Sequence, residues 1–171
     1  EEWKKQELGR IGEERFRREY GCEFLVFDET LVNSMVLSTL EGIEPQLNMG
    51  QTRWYKKMDP QKTYVVALDP AMGTGGDNAA IEVLELPTFE QVAEWKHNTT
   101  PVPQQVRILK DICNHIKDET KSSGSNIYWS VENNTIGESA LLVINDFGED
   151  QIPGMFVSCL LYTSPSPRDD E

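Results

Sequence analysis

Two short acidic segments contain the residues of this sequence that are best suited to chemistry. Residues 68–77 read LDPAMGTGGD, and residues 131–134 read VENN. Asp69 and Glu132 each follow an apolar run, and Asp77 lies eight residues after Asp69 across a glycine-rich stretch. If the two apolar runs are adjacent parallel strands, both acids project from one edge of the sheet, where ligands of α/β proteins bind.

A pair of carboxylates at such an edge predicts a metal site. Two carboxylates a few ångströms apart repel each other, and the pKa of one rises unless a cation lies between them. Oxygen ligands without His or Cys favour Mg²⁺ or Mn²⁺. Two such ions, about 3.5–4 Å apart, would activate a water and stabilise the leaving oxygen of a phosphodiester. We therefore predict that Asp69 and Glu132 are catalytic metal ligands and that Asp77 is a further ligand.

Each acid also has a purely structural interpretation. An Asp before Pro and Gly often only forms a turn, and this applies to Asp69. Glu132 could cap the helix that follows it. Asp77 fits a turn as well as it fits a metal shell. His97 and His115 have no matching partners in the sequence, so we interpret both as structural or surface residues.

The surrounding sequence predicts the elements that would position these acids. Apolar patterns predict strands, apolar stripes at 3–4 residue spacing predict helices, and short connections favour antiparallel neighbours. The predicted strands are 63–69, 79–86, 91–97, 127–132 and one beginning at 155–157, and the predicted helices are 3–20, 101–121 and 136–147. Strand 63–69 is expected to be central and buried on both faces, and parallel to strand 127–132. The order βββαβαβ predicts an α/β, ribonuclease H-like fold with a mixed sheet.

Composition excludes several classes of protein. Asp and Glu number 29 against 16 Lys and Arg, for a net charge of −13, which argues against a general polyphosphate-binding surface. No apolar run approaches the roughly 20 residues of a membrane span, and none resembles a signal peptide. The three cysteines have no zinc-site spacing or disulfide framework, which indicates a reducing, intracellular compartment.

Three segments together resemble the large terminase subunit of tailed bacteriophages, a DNA-packaging motor with an ATPase followed by a ribonuclease H-like nuclease. They are GEERFRREYGCEFL at 12–25, LDPAMGTGGD at 68–77 and VENN at 131–134, in the order and spacing of that family. The resemblance covers roughly residues 8–157. It implies that the family's catalytic Asp falls on Asp69, its additional acidic position on Asp77 and its catalytic Glu on Glu132.

The resemblance also implies a domain division and a role. Residues 1–40 would be the C-terminal remnant of the ATPase domain, 41–62 the interdomain connector and 63–158 an incomplete nuclease domain. The activity would be metal-dependent endonucleolytic cleavage of concatemeric double-stranded viral DNA during genome packaging, with two Mg²⁺ or Mn²⁺ ions. Implied partners are the portal protein, the small terminase subunit and further copies in a homo-oligomeric ring, in the host cytoplasm and without a membrane.

The ends of the chain indicate a fragment. Residues 159–169, CLLYTSPSPRD, resemble a translated sequencing adapter found in metagenomic reads, so we expect 159–171 to be foreign to the protein. The first residue is Glu rather than Met. The family's third catalytic Asp belongs to a later helix, and among the remaining native acids only Glu138 is an alternative. We therefore expect the fragment alone to be inactive.

Two other classes of function stay open. The first is an actin-like or sugar-kinase-like ATP-binding domain, which shares the fold core and uses an Asp-x-Gly-Thr phosphate loop. Residues 69–74 offer only DPAMGT, and no GxxxxGK[ST] is present. The second is a non-catalytic module that holds DNA or the portal protein during packaging. Nucleotide binding would indicate the first, and absence of metal dependence the second.

Overall fold

Five strands are followed by a helix, a strand, a second helix and a last strand between Leu47 and Phe156. The computed structural model describes residues 9–10, 36, 39–132 and 135–158. Its contacts divide the chain into Glu1–Gly42 and Ile43–Glu171, and the elements below belong to the second unit. The strands are β1 (Leu47–Met49), β2 (Thr52–Trp54), β3 (Thr63–Asp69), β4 (Ala79–Leu86), β5 (Glu90–His97), β6 (Ile127–Val131) and β7 (Met155–Phe156). The helices are α1 (Val102–Thr120), α2 (Thr135–Phe147) and a 3₁₀ turn at Glu149–Gln151.

The seven strands form one mixed sheet in the order β1-β2-β5-β4-β3-β6-β7. β3 pairs with β4 antiparallel and with β6 parallel, and β6 pairs with β7 parallel. The predicted order βββαβαβ and the parallel placement of β6 beside β3 are therefore confirmed. The α/β class follows directly, because α1 and α2 connect strands on the parallel side of the sheet.

Burial in β3 alternates, so the expectation that this strand is buried on both faces is wrong. Tyr64, Val66 and Leu68 are fully buried, whereas Ala67 and Asp69 are exposed. The reason is that the helices cover one face: α1 packs on β3, β6 and α2, and α2 packs on β6. We call the opposite side the open face; it carries the residues of β3 to β6 that alternate with the buried ones.

The core lies between the helices and the covered face of the sheet. α1 contributes the apolar stripe that its sequence predicts, including Val106, Leu109 and Ile116. It meets Trp95 and Trp129 from the sheet, which are among the largest fully buried side chains. Burying side chains of this kind contributes about 1.5–3 kcal/mol each before conformational entropy is counted. Burial also raises the pKa of the Cys113 thiol to about 12, so Cys113 is a core residue and not a nucleophile.

Residues 41–62, which the resemblance implies are the interdomain connector, contribute β1 and β2 to the edge of the sheet. Thr52 and Trp54 are buried on either side of exposed Arg53. Three-residue strands are too short to show a period in the sequence. The assignment of 1–40 to an ATPase remnant stays a prediction, and the predicted helix 3–20 lies outside the described residues except for 9–10, which are helical. No helix in the described part of the chain is long and apolar enough to cross a membrane.

Candidate metal centre

Asp69 and Glu132 lie at the carboxyl ends of two adjacent parallel strands. Asp69 is the last residue of β3, and Glu132 directly follows β6. Leu68 and Val131 are register partners, and the Glu132 backbone N–H donates to the Leu68 carbonyl at 2.9 Å. The ladder thus extends past the end of β6 and brings Glu132 beside Asp69. Both side chains belong to the open face, because their strand neighbours Leu68 and Val131 are buried under the helices.

The two carboxyl groups touch. A hydrogen bond joins the Glu132 and Asp69 carboxyls, and this bond is the first cause of the raised pKa of Glu132. Burial and the Asp69 charge raise the pKa further. Asp69 itself is exposed and Glu132 is half-buried, so solvent moderates the repulsion. The sequence-based expectation that these two acids meet at one sheet edge agrees with the geometry.

Asp77 does not join this pair. It is exposed and lies two residues before β4, at the end of the glycine-rich stretch. Within the described ranges, no three His, Cys, Asp or Glu side chains form a cluster that could hold a metal ion. The role of Asp77 as a ligand therefore stays a prediction, and Glu138, the alternative third acid, is exposed in the first turn of α2.

The glycine-rich loop, residues 70–78, is fastened to the connection between β5 and α1. The Gly75 N–H donates to the Asn98 carbonyl at 2.8 Å, and the Asn98 amide donates to the Gly75 carbonyl at 3.1 Å. Gly73 has a φ of +71°, and a Cβ there would lie 2.4 Å from the Thr100 carbonyl oxygen. The Ala71 and Gly75 N–H groups are already bonded, so these two backbone donors are not available to a phosphate, which does not favour the ATP-binding alternative.

Sequence reasoning missed one residue that fastens this loop, Gln105 in the first turns of α1. Its side chain is fully buried and bonds to the backbone of Ala71 and Thr100. A signal was present. Gln105 stands four residues before Leu109 and so falls on the apolar stripe of α1, where a polar residue calls for a partner.

Charged side chains occupy the open face next to the pair. Ala80 faces Asp69 across the β3–β4 ladder, and Lys96 faces Ala80 across the β4–β5 ladder. In the next row Glu82 faces Glu94. Burial raises the pKa of Glu82, with a smaller contribution from the Glu94 charge, while a hydrogen bond from Gln91 opposes the rise. Lys96 is exposed and forms no ion pair with the described residues.

Two grooves lie away from the carboxylate pair. One, of about 770 Å³, lies between α1 and the β1–β2 hairpin and is lined by Trp54 and His115, among others. The other, of about 940 Å³, lies on the open face at the amino end of β3 and is lined by Val65 and Tyr128, among others. Neither of these two grooves contains Asp69 or Glu132.

Comparison with solved structures places this fold among phage nucleases, although no family model matches the chain. The large terminase nuclease from thermophilic phage G20c aligns with a TM-score of 0.50 at 16% identity, over 68% of this chain and 54% of that one. Its cobalt-bound form gives 0.52 at 16% identity, over 71% and 56%. Its magnesium-bound form gives 0.50 at 15% identity, over 70% and 57%.

The chain has the fold of a large terminase nuclease domain. At these identities the likeness establishes fold, and the predicted α/β, ribonuclease H-like class is confirmed. The chain spans just over half the length of the nuclease structures that it matches.

Proposed function

We propose that this chain is the nuclease part of a phage large terminase subunit, which cuts concatemeric double-stranded DNA with Mg²⁺ or Mn²⁺. The observation that carries the proposal is the contact between the Asp69 and Glu132 carboxyls at the ends of adjacent parallel strands. A pair of acids that repel each other in the folded protein has little structural use, and such pairs mark functional sites. The likeness in fold to terminase nucleases supports this assignment.

The residues present fit a hard divalent cation. Asp69 and Glu132 offer only oxygen ligands, and their carboxyls are close enough to bond to each other, so both could contribute to binding one cation. Asp69 and Glu132 would hold the ion; Asp77, which does not join the pair in this structure, stays a predicted further ligand. Bound ions supply a more acidic water and charge neutralisation at the scissile phosphodiester.

The chain's own residues have three tasks in this proposal. The pKa of the Glu132 carboxyl is raised in the metal-free protein, and Glu132 would bind an ion in its ionised form. The backbone ladder from Leu68 to Glu132 fixes the separation of the two acids. Lys96, about two strand spacings or 10 Å from Asp69 along the same row, is placed to contact a DNA phosphate next to the one that is cut.

The wider role is part of the same proposal. The parent protein would carry an ATPase domain before residue 41 and a third catalytic acid after residue 158, and this chain alone would not cut DNA. Its partners would be viral double-stranded DNA, the portal protein, the small terminase subunit and further copies in a ring, in the host cytoplasm. The overall acidity of the chain, −13, fits a substrate held by metal ions and a few cations better than one held by a basic surface.

The test compares metal binding by this chain with plasmid cleavage by the longer parent protein. Mn²⁺ binding to the chain should weaken at least about tenfold in Asp69→Asn and in Glu132→Gln, since each removes one of two charged ligands. Glu119→Gln, an exposed acid near the end of α1, is the matched control and should bind like wild type. The parent protein should nick plasmid DNA with Mg²⁺ or Mn²⁺ and lose this activity in Asp69→Asn.

Four results would count against the proposal or part of it. If Asp69→Asn does not weaken Mn²⁺ binding, the proposed metal site is wrong. If the parent protein cuts DNA without metal, the proposed mechanism is wrong. Binding of ATP by this chain, lost in Asp69→Asn, would favour the kinase-like alternative. Cleavage by the chain alone would show that the described acids suffice and that no later residue is needed.

A further inference from the structure

Gln105 is a fully buried polar side chain that bonds two loops at the carboxyl edge of the sheet. Its Nε2 donates to the Ala71 carbonyl at 2.7 Å and to the Thr100 carbonyl at 2.6 Å. Its Oε1 accepts a hydrogen bond from the Ala71 N–H at 3.3 Å. Both donors of the amide and one acceptor site are therefore satisfied by backbone groups. Ala71 is buried as well, so water cannot readily replace these bonds.

We propose that Gln105 is a positioning residue for Asp69. The chain leaves β3 at Asp69, passes through Pro70 and meets Gln105 at Ala71, whose N–H and C=O are both bonded to the amide. Pro70 has a fixed φ and no N–H, so the path from Ala71 back to Asp69 has little freedom. This inference rests on the proposed function, because it assigns the fixed loop to the metal centre.

The identity of the side chain matters at this position. A primary amide is the only side-chain group here that can donate to two carbonyls and accept from an N–H at once. In Gln105→Glu the shape is kept, but an ionised carboxylate would face the Ala71 and Thr100 carbonyl oxygens. In Gln105→Met the volume is similar and all three bonds are lost, which leaves buried backbone groups without partners.

The loop beyond Ala71 depends on the same attachment. Gly73 packs against the Thr100 carbonyl, the same oxygen that accepts a bond from Gln105. Gly75 and Asn98 exchange two hydrogen bonds farther along the loop. The Asp69 side of the loop is therefore held by Gln105, and the Asp77 side by Asn98. A metal centre needs its ligands held to about 0.5 Å, which loops reach only with such support.

The experiment compares Gln105→Met with Thr120→Val in the full chain. Thr120 is buried near the other end of the same helix and donates to the Ile116 carbonyl at 2.7 Å. Fifteen residues separate the two positions, or roughly 22 Å along the helix axis. Thr120→Val also removes a buried hydrogen bond in α1 but should leave the carboxylate pair untouched. Gln105→Glu is the second variant if Gln105→Met does not fold.

Three measurements apply to each variant. The amide exchange rate of Ala71 reports whether the loop is held, and the side-chain carbon shift of Asp69 in metal-free protein reports its position. The third measurement is the Kd for Mn²⁺. In Gln105→Met we expect Ala71 exchange to accelerate at least about tenfold, the Asp69 shift to move, and the Kd to rise about tenfold or more. Thr120→Val should leave all three near wild type.

The outcomes separate this inference from the proposed function. If Gln105→Met moves neither the Asp69 shift nor the Kd beyond Thr120→Val, Gln105 is only a structural residue and the inference fails. If Asp69→Asn binds Mn²⁺ as tightly as the wild type does, the proposed metal site is wrong. The chemical shift of the Asp69 side chain in Gln105→Met still decides whether Gln105 positions that side chain.

Discussion

Glu132 donates its backbone N–H to the carbonyl of Leu68 at 2.9 Å, one residue beyond the end of β6. This bond extends the parallel ladder and holds Glu132 beside Asp69, the residue that follows Leu68. The approach of the two acids is therefore imposed by the backbone of the sheet and opposed by their charges. Arrangements of this kind lower the stability of the free protein in favour of a site.

Removing one acid should stabilise the metal-free chain. The pKa of Glu132 is raised in the folded state, so between its ordinary value and the raised value the folded chain binds more protons than the unfolded chain. Stability then falls as pH rises through that window. Asp69→Asn should reduce this fall, since the hydrogen bond and the charge of Asp69 are lost while the burial of Glu132 remains. It should also raise the free energy of unfolding at pH 7 by a few tenths to about 1 kcal/mol, because the pair is partly solvated.

Urea unfolding with a chelator between pH 4 and 8 measures this effect. Glu119→Gln serves as control for the loss of one negative charge. An Asp69→Asn variant that is no more stable than this control at pH 7 would show that the two carboxyls do not repel in solution.

A third carboxylate opposite Asp69 should strengthen metal binding. Ala80 faces Asp69 across the antiparallel ladder, where Cβ atoms lie about 4.5–5.5 Å apart. Ala80→Asp places a further oxygen ligand beside the pair, and we expect the Kd for Mn²⁺ to fall about tenfold because affinity rises with ligand charge. Ala80→Asn has the same shape without the charge and is the control. Calorimetric titration measures the Kd for Mn²⁺ in both variants. Equal affinities would mean that the binding site lies away from this row of the sheet.

The sequence predicts the contact between Asp69 and Glu132 well, because the features that bring these two acids together are local in the sequence. Apolar runs mark β3 and β6, each run stops at an acid, and the stripe of α1 implies a crossover that makes the strands parallel. One-sided burial of β3 could not be predicted, because Val65 and Ala67 are apolar on the open face as well. Burial of that face depends on which elements cover it, and a strand's own sequence does not contain that information.

Other parts of the site depend on contacts between distant segments. Asp77 follows a stretch with three glycines, whose backbone has no preferred direction until the loop packs against Asn98 and Thr100. Gln105 lies 34 residues from Ala71, its main partner. The role of Gln105 can be inferred only when the start of α1 is known to lie under the glycine-rich loop.

Lys96 should contribute to DNA affinity without contributing to metal binding. It is exposed on the open face, in the row that contains Asp69 and Ala80. Lys96→Ala should weaken binding of double-stranded DNA by the parent protein and reduce the slope of log K against log salt by about 1, the effect of one lost phosphate contact. Arg107→Ala removes an exposed cation from α1, on the covered side of the sheet, and should change neither quantity. Fluorescence anisotropy over a salt series measures DNA affinity in both variants. Equal losses of affinity would mean that a positive charge contributes equally on the open face and on the covered side of the sheet.

A methyl group at Gly73 should disturb the loop and the metal centre together. Gly73 has a positive φ, and an added Cβ would lie 2.4 Å from the Thr100 carbonyl oxygen, a backbone atom that cannot turn aside. Gly73→Ala should therefore lower the free energy of unfolding by about 1–3 kcal/mol. Gly76, in the same loop, meets no atom within 4 Å and has no positive φ, so Gly76→Ala should change stability by no more than about 0.5 kcal/mol.

Stability alone does not connect Gly73 to the carboxylates, so the Kd for Mn²⁺ is measured as well. The Thr100 carbonyl that Gly73 touches also accepts the Gln105 bond, and Gln105 holds Ala71, two residues from Asp69. In Gly73→Ala the Thr100 carbonyl should be displaced, which should move Gln105 and, through Ala71, Asp69. Mn²⁺ binding should therefore weaken at temperatures where the variant stays folded. Gly76→Ala should bind Mn²⁺ like wild type. A Gly73→Ala variant that is destabilised yet binds Mn²⁺ normally would show that the loop supports the fold and leaves the position of Asp69 to the β3 ladder alone.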